Sequence, residues 1–115
     1  MDLKQFESEL RAELAKLPYV LSIRIVRKTE ISFKALVGLK KKYTLSVFYN
    51  ELFYIVSFSL IFQNQRIWGI DRDNRVGWHT HPITDPSGHS PIDEMTINSI
   101  INILDGICQR LIETK

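Results

Sequence analysis

The sequence predicts an α+β domain: an antiparallel meander of five or six strands with an N-terminal and a C-terminal helix packed on one face. Three observations carry this. Apolar residues recur at helical spacing only near the two ends of the chain, and they alternate with polar residues between Tyr19 and His81. The connections between the alternating runs are too short for parallel crossovers. The chain has 115 residues with 44% hydrophobic and 24% charged, the size and composition of one globular domain spanning residues 1–115.

The first helix is read from Leu3, Phe6, Leu10, Leu14 and Leu17, with Asp2 as its cap and Pro18 just past its end. Leu21, Ile23 and Ile25 then alternate with Ser22 and Arg24, and Phe33, Ala35 and Val37 alternate with Ser32, Lys34 and Leu36. Gly38 and the run Lys40-Lys41-Lys42 mark a turn before Tyr43, Leu45, Val47 and Tyr49. Asn50-Glu51 reads as a hairpin turn, Phe53 to Phe62 as the return strand and Arg66 to Asp71 as the next. A polar turn, Asp71 to Arg75, precedes a last short strand from Val76 to His81. Pro82, Pro86, Gly88 and Pro91 predict an irregular loop over residues 82–91. The second helix is expected to start there, with Ser90 or Asp93 as its cap and Pro91 in its first turn. Its apolar stripe is Ile97, Ile100, Ile101, Leu104, Ile107, Cys108 and Leu111.

Composition excludes several classes. One cysteine, Cys108, permits no intramolecular disulfide and no cysteine-rich zinc site. No run approaches the ~18 apolar residues of a spanning helix, and the N-terminus lacks a signal-peptide pattern. A cytoplasmic protein without a membrane partner is the expectation. Residues 1–49 carry ten Lys/Arg against five Asp/Glu, whereas residues 50–115 carry five against eight. The excess concentrates between Arg24 and Lys42, so Arg27, Lys28, Lys40, Lys41 and Lys42 are candidate nucleic-acid contacts.

All three histidines lie between residues 79 and 89. His79 and His81 are two apart, which on a strand puts both imidazoles on one face with Cα atoms roughly 7 Å apart. Such a pair suits a metal ion or a phosphate. His89 or Asp93 is placed to close the site across the loop. Asp71 and Asp73 are placed to join it or to orient a histidine, and Arg72 to bind an anion beside them. The catalytic candidates are therefore His79, His81, His89, Asp71, Asp73 and Arg72.

Two resemblances follow from these residues. Ile70-Asp71-Arg72-Asp73-Asn74, Trp78-His79-Thr80-His81-Pro82 and Asp85-Pro86-Ser87-Gly88-His89, ahead of a final helix, resemble the TumE-like toxins of toxin–antitoxin systems. The likeness runs from Tyr43 to about Leu104, roughly half the chain. It implies a toxin component with a small DNA-binding antitoxin as partner. If the chain is catalytic, histidine-dependent cleavage of RNA fits best. His79-Thr80-His81-Pro82, followed after eight residues by Ser90-Pro91-Ile92-Asp93, resembles the JAMM metalloproteases, although the spacing is one residue longer than theirs. That resemblance implies zinc held by His79, His81 and Asp93, with Glu30 as general base in peptide or isopeptide hydrolysis. A non-catalytic module binding nucleic acid or protein is the third reading, and an exposed strand edge would suit a homodimer.

Overall fold

A computed structural model describes residues 1–113. Helix α1 (Leu3–Leu14) is followed by strands β1 (Val20–Lys28), β2 (Ser32–Leu39), β3 (Thr44–Asn50), β4 (Ile55–Phe62), β5 (Gln65–Asp73), β6 (Gly77–His81) and β7 (Ser90–Pro91), then by helix α2 (Ile97–Leu111). All seven strands form one antiparallel sheet in sequence order. The α+β class, the meander and the two helices agree with the sequence. The strand count exceeds the expected five or six by the two-residue β7, which sits inside the loop expected to be irregular.

Asp2 caps α1 as its sequence requires, accepting from the Gln5 amide at 2.8 Å while the Gln5 side chain accepts from the Asp2 amide. Leu3, Phe6, Leu10 and Leu14 are buried on one stripe of the helix. Leu17 lies beyond its end but is buried too. Helix α2 starts later than expected. Its N-cap is Thr96, whose side chain accepts from the Ser99 amide at 3.1 Å, and residues 92–96 are not helical. Asp93 and Glu94 therefore lie outside the first turn.

The two helices cover one face of the sheet. Phe33, Ala35, Val37, Leu45, Val47, Tyr49, Val56, Phe58, Leu60, Trp68 and Ile70 point into that layer and join the buried stripes of both helices in one core. Cys108 is fully buried there, as its place on the α2 stripe predicts. Gln63 and Asn64 both have positive φ (52° and 62°), the conformation of a tight two-residue hairpin, and they join β4 to β5.

Among the described residues, the opposite face carries no helix. Residues paired directly across strands share a face, so register alone assigns it. One row runs Arg27, Lys34, Phe48, Ser57, Asp71 and His79. A second runs Arg24, Leu36, Ser46, Ser59, Gly69 and His81. Two irregularities matter. Register slips between Ile25 and Arg27 and between Trp68 and Arg66, leaving Val26 and Ile67 as extra residues. The first turns Arg27 to the helix-free face and Lys28 to the helix layer. The second turns Arg66 to the helix-free face, against simple alternation with Trp68 and Ile70. Among the described residues, no helix is long and apolar enough to cross a membrane.

Candidate metal and catalytic centre

Strands β5 and β6 bring Asp71 opposite His79, and Gly69 opposite His81. The His-x-His spacing therefore does what strand geometry demands: both imidazoles stand on the helix-free face beside the Asp71 carboxylate. They are 4% and 5% exposed, an unusual burial for two titratable rings on a face without helices. The loop between β6 and β7 covers them. It turns at Pro82 and Asp85, whose carbonyls accept from the Asp85 and Gly88 amides, and returns to pair as β7 along β6. This return lays the exposed His89 over both buried rings, its centroid 5.1 Å from His79 and 4.6 Å from His81.

The hydrogen bonds fix how each imidazole is used. His79 Nδ1 lies 3.0 Å from the Gly77 carbonyl oxygen and His81 Nδ1 lies 3.1 Å from that of Pro86. A carbonyl oxygen only accepts, so both Nδ1 atoms carry the proton and donate. In the neutral rings, Nε2 then presents a lone pair. The His81 Nε2 lies 3.0 Å from Asp71 Oδ2 and the His79 Nε2 lies 3.7 Å from the same oxygen. Two lone pairs aimed at one carboxylate oxygen repel unless a cation lies among them. A main-chain carbonyl holding the far nitrogen is the usual support of a metal-binding histidine. One ligand atom from each of Asp71, His79 and His81 lies within 4.8 Å of the others, close enough to share one ion.

Burial first, and the Arg66 charge second, push the His81 pKa below its ordinary value, outweighing the Asp71 carboxylate. The shift runs toward the neutral ring, the form whose Nε2 can ligate a metal ion. Arg66 was not foreseen in the sequence. Its Nη2 donates to both Asp71 oxygens at 2.8 Å, and its Nε–H is buried without a partner. Gly69 makes room for it: a Cβ there would lie 2.7 Å from the guanidinium. Two signals pointed to it, an arginine at a core-facing parity and a glycine inside a strand, both marks of a bulge or a close approach.

Other candidates lie elsewhere. Arg72 is one residue from Asp71 and so on the opposite face. Its guanidinium lies 4.1 Å from the Tyr54 ring centroid and donates to the Tyr54 carbonyl and to Asn74. Asp73 shapes the β5–β6 turn, accepting from the Arg75 and Val76 amides at 2.9 and 2.8 Å. Those amides, Val76 first, hold its carboxyl below the ordinary range. Asp93 is exposed and stands outside the three-residue cluster, so Asp71 takes the place the sequence assigned to Asp93. Glu30 sits in the β1–β2 turn, with β2 to β5 between it and β6. Lys28 is paired with Glu7 of α1 at 3.2 Å, on the helix side. Lys40, Lys41 and Lys42 form the β2–β3 turn, with Lys41 and Lys42 in the left-handed region at φ 59° and 66°. Arg27 shares the face of the histidines.

Comparison with family models, with curated proteins and with solved structures finds no match to this chain.

Proposed function

We propose that this chain is a toxin component similar to the TumE-like proteins, and that its Asp71–His79–His81 centre binds a zinc-class divalent ion and cleaves phosphodiester bonds in RNA. One observation carries the reading: two carbonyl-anchored imidazoles direct their Nε2 atoms at one carboxylate oxygen. Nitrogen and carboxylate ligands in this pattern suit zinc. When bound, such an ion supplies an acidic water and offsets phosphate charge. The chain's own groups do the rest. Arg66 orients Asp71 through two hydrogen bonds to its carboxylate. His89, exposed over the cluster, would give a proton to the leaving ribose oxygen as water adds to phosphorus and the P–O bond breaks, the water's own proton passing to solvent, from which His89 is reprotonated. The resemblance supplies the partner, a small DNA-binding antitoxin.

Arg66 favours a second reading, since it already neutralises the Asp71 carboxylate that an ion would use. In that reading no metal takes part, one histidine accepts the 2′-hydroxyl proton and another protonates the leaving oxygen. The deciding assay is cleavage of a labelled RNA with and without chelator, in the wild type, His79→Ala/His81→Ala and His89→Ala. Cleavage lost in the double variant and on chelation, and restored by zinc, supports the first reading. Cleavage that survives chelation but not the double variant supports the second. Cleavage untouched by the double variant contradicts both.

A further inference from the structure

The helix-free face of the sheet leads directly into the centre. Beside Asp71 and His79 along one cross-strand row lie Ser57, Phe48, Lys34 and Arg27, and beside Gly69 and His81 along the next lie Ser59, Ser46, Leu36 and Arg24. The order has a chemical sense. Three cations occupy the β1–β2 end. A partly exposed aromatic ring follows on β3. Three serines floor the middle with small hydroxyls, and the centre closes the far end. The side chains of β1 to β4 on this face include no carboxylate.

We infer that this face is the track for single-stranded RNA, which crosses the strands from β1 to β6 and delivers one phosphodiester to the Asp71–His79–His81 centre. Arg24, Arg27 and Lys34 grip phosphates, Phe48 stacks a base and the serines leave depth for the sugar chain. Five strand spacings of ~4.8 Å put Arg27 about 24 Å from His79, long enough for several nucleotides and too long for a mononucleotide. An exposed sheet that stacks bases on aromatics between basic residues is a working design for single strands, tolerant of sequence because every base has a π-face. A rigid duplex is excluded from stacking on Phe48, since its bases are already paired. The bulge at Val26 serves this use. It adds Arg27 to the row and sends Lys28 to Glu7. This inference rests on RNA being the substrate of the centre.

Binding separates the two claims. A fluorescein-labelled 12-nucleotide single-stranded RNA is titrated with protein and followed by anisotropy, using His79→Ala/His81→Ala so that no strand is cut. Phe48→Ala should weaken binding roughly five- to hundredfold. Arg27→Ala/Lys34→Ala should weaken it at least tenfold and make the salt slope shallower by about 1.4, two phosphate contacts at ~0.7 each. Lys16→Ala, in the turn after α1, and Arg110→Ala, on α2, should change it less than twofold. Each variant's circular dichroism should match the parent. Binding of wild-type strength in the face variants, with unchanged salt slope, overturns the track and leaves the RNA reading standing. Absence of RNA binding in the parent overturns both. A loss of RNA binding that accompanies a change from dimer to monomer on size exclusion assigns the face to a second copy of the chain and overturns the track.

Discussion

Substituting Gly69 by alanine tests the geometry around Asp71 through one methyl group. A Cβ at residue 69 would lie 2.7 Å from Arg66 Nε and Nη2 and 2.9 Å from Cζ, so the guanidinium must move off Asp71. The pair it would disturb is bonded to both carboxylate oxygens at 2.8 Å, with side chains 30% and 16% exposed. A hydrogen bond to a charged partner contributes about 1.5–3 kcal/mol, and alanine in a strand regains about 0.5–1 kcal/mol over glycine. The net expectation is a loss of about 1–2 kcal/mol, or roughly 4–12 °C in Tm for a chain of this size. With Arg66→Ala already in place the new methyl meets open space, so Gly69→Ala should be neutral or stabilising by up to about 1 kcal/mol. Urea denaturation of the four proteins of this cycle, in chelator, gives a coupling energy expected at about 1.5–3 kcal/mol. Additive effects, with Gly69→Ala costing the same in both backgrounds, would refute the placement of Arg66 over Gly69.

Other expectations follow from the same residues. Burial raises the Cys108 thiol to about 11, so thiol reagents at pH 8 should label it only at the rate of unfolding; rapid labelling of folded protein would contradict its place in the core. Arg11 first, and Lys28 next, hold the Glu7 carboxyl below its ordinary 4.5. Its contribution is present above about pH 4.5 and fades as pH falls through the lowered value. Glu7→Gln should therefore cost a few tenths of a kcal/mol at pH 7 and nothing at pH 2, read from urea midpoints. Thr96→Ala should cost about 1 kcal/mol as a lost helix cap, whereas Asp93→Ala should cost almost nothing, because α2 starts at Ile97.

The period-two alternation made the meander readable, because strand side chains must alternate once a single face is buried. The period-3.6 stripes gave both helices in the same way. The start of α2 escaped because Ser90, Pro91 and Asp93 form a helix-entry pattern as good as Thr96, and only the pairing of Ser90 and Pro91 with β6 overrides it. The cluster was half legible. His79 and His81 follow from spacing, and Asp71 from the short turn that sets β5 beside β6. Arg72 was separable from Asp71 by parity alone, since neighbours on a strand face opposite ways. Arg66 was hidden by a bulge that reverses parity at Ile67, and local sequence does not state where a bulge falls. The burial of the histidines depends on a loop folding back over them, which is a tertiary event with no periodic signature.

The claim on which the functional reading stands is that Asp71, His79 and His81 hold an ion. Elemental analysis of untagged protein, stripped with chelator, reloaded with zinc and desalted, tests it directly. The geometry predicts about one zinc per chain, lost in His79→Ala, His81→Ala and Asp71→Ala and retained in Asp93→Ala. Folded wild-type protein that takes up no zinc, or zinc that survives His79→Ala/His81→Ala, would contradict it.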